Sequence, residues 1–508
     1  MSADAVRARG PITAGIMLAT VTSSLDTTVV NIALPHLQGS LSASPEQITW
    51  VLTSYIVATA VTMPISGWLA ARVGLKPLLI VCIAAFTVTS ILCGLATSLP
   101  AMVAFRLLQG MAAAPMIPLS QTVLFNINPP ERYGRAMALF TMGAVAAPVV
   151  GPVVGGYLTD NLSWRWCFYI NIPTGVGAIA LLWLFLPKEA RTPRRFDFLG
   201  FGSLAIGVAA FQLMLDRGAS RDWFDSVEIC VEAIIAATCF WIYLTHTLTT
   251  ASPLFERSLF RDRNFVVSLL FGLSFSLLVY CSLALMPLMM QGVMGYSVMV
   301  AGLVSMPRGV LMMAVLQVMG RLDSLFDRRL LLAVGWCILG ASFLAMAHFD
   351  LSMGPETIIA ASALQGLGQG MIAVPLSTLA FATLNPALRA DASSISNLMR
   401  FLGGSVGIAT MQALTATNGQ AMHASLAGHA LPDSPVVRAG LPPYLWPGTE
   451  TGALALNDMI TRQATMVAYV DDFLLMFLLC VVSLPPILLF RKPPRTHPAA
   501  SVSSLHAE

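Results

Sequence analysis

Leu25-Asp26-Thr27-Thr28-Val29-Val30-Asn31-Ile32-Ala33-Leu34-Pro35 lies in the first long apolar run of the chain and puts a carboxylate near its middle. A charged side chain at the centre of a membrane span costs about 2.5–3.5 kcal/mol on insertion scales, so an acid kept there reads as functional by default. Low dielectric penalises the charged form of a carboxyl, which suits Asp26 to taking up and releasing protons. A proton-coupled carrier needs such a group. The bland alternative is a carboxylate that caps a helix or bonds locally to Thr27, Thr28 or Asn31.

Composition supplies the membrane. Of 508 residues, 56% are hydrophobic and 10% charged, against about 25% charged in a soluble domain. Mean hydropathy is +0.76, far too apolar for one soluble core. The chain reads as an all-α polytopic membrane protein in a lipid bilayer. A net charge of +3 is too small to suggest nucleic acid. The eight cysteines fall inside apolar runs and read as small core residues, not as a disulfide framework or a metal site. The first run is long and carries Asp26, so it reads as a span and not as a cleavable signal peptide.

At about 20 residues per crossing, spans are expected near 12–35, 47–71, 77–96, 100–126, 133–159, 164–187, 197–216, 226–249, 264–291, 297–320, 329–349, 356–382, 391–418 and 466–491, which is fourteen. Basic residues gather in one set of loops, among them Arg72 and Lys76, Arg132 and Arg135, Lys188 to Arg195, Arg257 to Arg263, Arg328 and Arg329, and Arg491 and Lys492. The opposite loops hold only Arg165, Arg217, Arg221, Arg438 and Arg462. The positive-inside rule then puts both termini in the cytoplasm. The stretch 419–465 is expected as a long outer loop.

The chain also repeats itself. Gly67-Trp68-Leu69-Ala70-Ala71-Arg72-Val73-Gly74-Leu75-Lys76 after span 2 echoes Gly320-Arg321-Leu322-Asp323-Ser324 to Arg329 after span 10. Gln109-Gly110 and Pro118-Leu119-Ser120 in span 4 echo Gln365-Gly366 and Pro375-Leu376-Ser377 in span 12. Two parallel six-helix bundles separated by two extra helices account for both. The expected division is 1–11 tail, 12–187 first bundle, 188–256 linkers and extra helices, 257–491 second bundle including 419–465, and 492–508 tail.

Four segments occur in order in the first bundle: Leu25 to Pro35, the Gly67–Leu79 loop, Arg106-Leu107-Leu108-Gln109-Gly110, and Gly151-Pro152-Val153-Val154-Gly155-Gly156. With Trp164-Arg165-Trp166-Cys167-Phe168-Tyr169-Ile170-Asn171-Ile172-Pro173 and Arg462 to Phe473, the chain resembles the major facilitator superfamily, specifically its fourteen-span drug:proton antiporters of the EmrB/QacA type, and is more EmrB-like than QacA-like. The resemblance covers nearly everything but the tails.

That resemblance implies a major facilitator fold, two six-helix bundles plus two central helices, and proton-coupled efflux of hydrophobic drugs by alternating access. It implies proton coupling at Asp26 and Arg106. Gly67, Arg72, Gly74 and Lys76 resemble the cytoplasmic gate motif, in which basic residues hold the closed gate by ion pairs; Ala71 stands where many members have Asp. Gly151, Pro152, Gly155 and Gly156 resemble the antiporter packing motif, with Ala138 and Ala147 replacing two glycines of the longer pattern. Asn31, Gln109, Met286, Met290 and Arg400 are the expected lining of a substrate cavity. Asp471 and Asp472, in the first turns of span 14, are candidate additional acids. Glu228 and Glu232 are expected to be solvated. No metal and no cofactor is expected beyond the proton as coupling ion.

The implied setting is a bacterial inner membrane, with a periplasmic adaptor and an outer-membrane channel (EmrA/TolC-like) as partners. Tyr444, Leu445 and Trp446 of the outer loop are the expected exposed docking residues. No His-Glu-x-x-His or phosphate loop is present, and Gly403-Gly404-Ser405-Val406-Gly407 sits in a span, so it reads as helix packing and not as a nucleophile elbow. An enzyme is not expected. A transporter of one metabolite and a non-transporting membrane sensor or scaffold are the rival readings.

Overall fold

The computed structural model describes residues 8–189, 191, 194–429 and 442–491. Fourteen long helical segments are seen among them: α1 (Arg9–Ser40), α2 (Pro45–Val73), α3 (Leu75–Leu95), α4 (Leu99–Ile127), α5 (Tyr133–Asn161), α6 (Trp166–Phe185), α7 (Phe198–Arg217), α8 (Val227–Thr249), α9 (Arg263–Val293), α10 (Val298–Leu325), α11 (Arg328–Met346), α12 (Pro355–Phe381), α13 (Arg389–His429) and α14 (Glu450–Ser483). Thirteen are long and apolar enough to cross a membrane; α13 is the exception. Its first turns, Arg389-Ala390-Asp391-Ala392-Ser393-Ser394-Ile395-Ser396-Asn397, are polar yet largely buried against other helices.

Two helices are interrupted where their sequences demand it. Met63-Pro64-Ile65 forms one tight turn inside α2, and Pro115 interrupts α4, since proline lacks a donor and clashes with the preceding turn. Gly74, between α2 and α3, has φ +101°, a conformation costly for any residue with a Cβ.

The repeat seen in sequence is a repeat of packing. In the first bundle α1 packs on α5, α2 on α4, and α3 on α4 and α6; in the second, α9 packs on α13, α10 on α12, and α11 on α12 and α14. Lipid tails are as apolar as leucine, so such contacts rest on close fit. A Cβ on Gly110 would lie 2.5 Å from Tyr55 O of α2, and one on Gly366 would strike Arg308 O of α10. Gln109-Gly110 and Gln365-Gly366 therefore do the same work in each half. Gly403 and Gly407 likewise approach the backbone of Leu273 and Leu277, so that segment is helix packing.

Between bundles, α5 meets α10 and α12, while α2 and α4 meet α13. The extra helices α7 and α8 pair with each other, and α7 leans on α2 and α13. Thr53 donates to Asp216 of α7, and Arg217 holds Glu228 and Glu232 of α8. Glu228 is exposed, as expected, while Glu232 is half-buried beside Arg217.

The stretch 419–465 is not a loop throughout. α13 continues to His429 and α14 begins at Glu450; residues 430–441 lie outside the described residues. Alanine, glutamine, methionine and leucine dominate 420–427 and 453–460, and these favour helix over loop. Leu445 is buried, Trp446 half-buried and Tyr444 exposed, so only the tyrosine fits the expected exposed surface. Asp471 and Asp472 lie near the middle of α14, not in its first turns.

Candidate functional site

Asp26 and Arg106 are each 0% exposed, on α1 and α4. Arg106 Nη1 donates to Asp26 Oδ2 at 2.6 Å. Gln109 Nε2, one turn along α4, donates to Asp26 Oδ1 at 3.0 Å, and Asn171 Nδ2 of α6 donates to the same oxygen at 2.9 Å. The carboxylate therefore holds three donors from two other helices. Helix capping is excluded: Asp26 sits deep inside α1 and bonds to distant residues.

The arginine is as thoroughly engaged. Its Nε donates to Val51 O at 3.1 Å, and Nη1 also reaches Gln109 Oε1 at 2.8 Å. Its guanidinium lies over the Tyr55 ring, 4.2 Å from the centroid, a cation–π contact that is strongest when desolvated. Nη2 alone has no partner. Beneath them, Asn171 Nδ2 also donates to Ser90 Oγ, which donates to Phe168 O, each at 2.9 Å. Tyr55, Ser90 and Asn171 were not assigned from sequence. Asn171 had a signal, a single polar side chain inside an apolar run; Ser90 and Tyr55 had none.

In a buried ion pair of this kind each charge depends on the other. Removing one partner leaves an uncompensated buried charge, which costs about 3–5 kcal/mol. Adding a proton to Asp26 removes the counter-charge of Arg106 and one acceptor site for three donors. α1, α4 and α6 are joined through this carboxylate, so its protonation state bears on how three helices fit together.

The second bundle repeats part of the geometry without the acid: Gln365 Oε1 accepts from Arg308 Nη1 of α10 at 3.3 Å. Gln365 Nε2 donates to Ser282 Oγ at 2.7 Å, as Gln109 does to Asp26. Ser362 stands where the first bundle has Arg106. Among the described residues a fully buried acid–arginine pair is found in the first bundle only; the Asp323–Arg328 pair of the second bundle is partly exposed.

Other expected cavity residues scatter. Gln109 is 0% exposed inside the Asp26 cluster and does not line a cavity. Met286 and Met290 are 3% and 0% exposed in the core of the second bundle, also a correction. Asn31 is exposed on α1, apart from the cluster. Arg400 is half-buried beside Gly272, with Nη2 3.4 Å from Ser377 Oγ and Nε without a partner.

The gate segment closes differently from expectation. Arg72 lies over the Trp68 ring, 5.4 Å from its centroid, and Lys76 Nζ donates to Trp183 O at 2.7 Å. Among the described residues neither forms the expected ion pair. Instead Arg194, in the linker before α7, pairs with Asp391 of α13 at 2.6 Å. Asp391 lies so close to Gly67 that an added Cβ would collide with its side chain and come within 3.0 Å of its Cα. Asp391 of the second bundle thus packs against the start of this segment.

The same end carries further bonds across the bundles. Arg389 donates to Phe125 O, Asn126 Oδ1 and Tyr133 Oη at 3.2, 3.0 and 2.7 Å. Gln121 Oε1 accepts from Ser393 and Asn397 at 2.7 and 2.8 Å. Phe125 stacks on Phe381 with 4.4 Å between centroids. Asp323 of α10 approaches Gly134 at the start of α5, where an added Cβ would lie 2.6 Å from Oδ2. The bundles are shut against each other at the end carrying the basic loops.

In the α5 packing motif, a Cβ on Gly151 would fall 2.9 Å from Thr28 Cβ, and Gly155 lies against Val29 of α1. Gly156 has nothing within 4 Å of an added Cβ, so it is not a packing glycine here. The side chain of Pro152 lies outside the described residues. In α14, Asp471 is exposed and Asp472 is 1% exposed, accepting from Thr415 Oγ1. Among the described residues no group of three or more His, Cys, Asp or Glu could hold a metal ion.

Comparison with known proteins agrees with this architecture. Residues 16–408 match the family model described as Major Facilitator Superfamily. The multidrug export protein EmrB of Haemophilus influenzae is 38% identical over 429 residues, 84% of each chain. EmrB of Escherichia coli K12 is 36% identical over 437 residues, again 84% of each. The fatty acid resistance protein FarB of Neisseria gonorrhoeae is 36% identical over 490 residues, 95% of this chain and 96% of that one. Among solved structures, the human organic anion transporter MFSD10 (TETRAN) superposes with a TM-score of 0.60 at 14% identity, covering 94% of this chain and 100% of that one, a likeness of fold. With its two repeated bundles, two intervening helices and matched sequence, this chain belongs to the Major Facilitator Superfamily.

Proposed function

We propose that this chain is a proton-coupled multidrug efflux permease of a bacterial inner membrane, exporting hydrophobic compounds by drug/proton antiport, with both termini cytoplasmic. The observation that carries the reading is the Asp26–Arg106 pair, 2.6 Å apart and the one fully buried ion pair among the described residues. The relatives named as multidrug export proteins support the substrate class.

In this reading the basic end is the cytoplasmic end, and the conformation described is closed to the cytoplasm. A proton reaching Asp26 from outside neutralises the carboxylate and frees Arg106, Gln109 and Asn171 from it. The loosened contact among α1, α4 and α6 permits the bundles to rock, α1 passing the shift to α5 and thence to α10. Each charge crossing the membrane gains about 2.3 kcal/mol per 100 mV, so one proton sustains a roughly fiftyfold gradient of a neutral drug per 100 mV. Asn31 and Arg400 are kept as cavity candidates.

A periplasmic adaptor and an outer-membrane channel are proposed partners, as the EmrB resemblance implies. The continuation of α13 and α14 to His429 and from Glu450 offers a rigid outer projection for docking. The test of the whole reading is efflux of a chemically diverse drug panel from an overexpressing strain, with and without an uncoupler. Efflux that ignores the uncoupler, or no efflux at all from correctly inserted protein, overturns it.

A further inference from the structure

On the periphery of the first bundle, α3 and α6 run antiparallel and pack within that bundle. A Cβ on Gly94 would strike the Tyr169 ring, and one on Gly175 would strike Thr87 Oγ1. Farther along the seam, Lys76 Nζ reaches Trp183 O at 2.7 Å. That register sets Val88 of α3 opposite Val176 of α6, and Val81 opposite Trp183. All four are exposed. The seam is thus an apolar strip on the lipid-facing side of the molecule, with a tryptophan at its basic end, the level at which such rings favour the membrane interface.

Three cations head this strip. Lys76 stands in the first turn of α3, and Lys188, just past α6, is near enough for the two charges to repel. Arg191 Cγ lies 3.9 Å from where a Cβ on Gly74 would stand, immediately before α3. Among the described residues none of the three has an acidic partner. The neighbouring acid, Glu189, accepts from Asn126 Nδ2 at 3.2 Å. Other cations at this end are taken up by the protein: Arg194 by Asp391, Arg328 by Asp323, and Arg389 by Phe125 O and Asn126. The three around α3 instead share one place without a counter-charge, above an apolar strip.

We propose that the α3–α6 seam holds one anionic phospholipid, its phosphate among Lys76, Lys188 and Arg191 and its acyl chains along Val81, Val88, Val176 and Trp183. Charge and shape both fit that occupant: an anionic head where cations lack partners, and hydrocarbon where the helices are bare. A zwitterionic lipid would bring its own cation toward three others. Each basic residue at an anionic lipid surface contributes about fivefold in affinity. The bound lipid would pin the linker at Lys188 and Arg191 to the start of α3. The site is separate from the Asp26 cluster, and the binding stands whether or not the chain exports drugs.

The test is lipid binding to delipidated, detergent-purified full-length protein, read by native mass spectrometry during titration. Dioleoylphosphatidylglycerol should bind at least fivefold more tightly than dioleoylphosphatidylcholine, and inorganic phosphate in large excess should not displace it. Replacing Lys76, Lys188 and Arg191 together by Gln should weaken phosphatidylglycerol binding at least tenfold and leave phosphatidylcholine binding unchanged. Should that variant fail to fold, Lys188→Gln with Arg191→Gln, which keeps the Lys76 bond to Trp183 O, should weaken it at least fivefold. A charge-matched control, with Arg132, Arg261 and Arg263 replaced by Gln, should bind as the parent does. Equal binding of the two lipids, displacement by phosphate, full binding in the α3–α6 variants, or an equal loss in the control overturns the proposal. Binding is read without transport, so loss of efflux in cells bears on the permease reading alone.

Discussion

Arg106→Gln removes the cation from a carboxylate that is 0% exposed and leaves it two neutral donors, Gln109 and Asn171. Breaking a buried pair from one side costs about 3–5 kcal/mol, because the remaining charge is left uncompensated. Asp26→Asn does the converse: Arg106 keeps Val51 O, Gln109 Oε1 and the Tyr55 ring but loses its counter-ion. In the double variant both charges are gone and amides remain, so the loss falls toward that of one or two neutral hydrogen bonds, about 1 kcal/mol each. The double variant is therefore predicted to be more stable than either single one. Size-exclusion chromatography of detergent-solubilised protein after graded heating reads the order. Additive losses, or single variants as stable as the parent, would refute the view that the two charges depend on each other, since independent sites add.

Three further outcomes follow. Gly67→Leu puts a side chain where Asp391 now lies, so it should hold the basic end open and raise labelling of a cysteine placed at Gln121; unchanged labelling counts against this contact as the seal. Asp391→Asn should loosen the same end by removing the Arg194 partner while sparing the Asp26 cluster, read by the same labelling with unchanged proton uptake. For orientation, Ser425→Cys at the outer end of α13 should react with an impermeant reagent in intact cells, after native cysteines are replaced, and Ser503→Cys should not; the reverse pattern inverts the topology.

What was legible in the sequence was the presence of Asp26 and Arg106, because each is a charge inside an apolar run. That they meet was not, since they lie 80 residues apart on different helices. Gln109, one turn from Arg106, shares its face and belonged with the pair, yet a polar side chain in a span reads equally as cavity lining. Met286 and Met290 failed for a general reason. A membrane helix is apolar on both its lipid and protein faces, so periodicity does not say which methionines are inside. The gate failed because its contact is non-local: nothing near Ala71 indicates that Asp391 of the other bundle packs against Gly67. The two-bundle fold was legible because Gln-Gly repeats at the same position in each half, and the need for a close helix approach is written in the glycine itself.

Whether Asp26 carries the coupling proton is decided in reconstituted protein. Equal amounts of folded parent and Asp26→Asn protein are placed in proteoliposomes, and drug-driven proton movement is recorded beside drug counterflow, which needs no net proton transfer. The variant is expected to retain counterflow and to show no drug-driven proton movement. Proton movement in Asp26→Asn at the rate of the parent would contradict it.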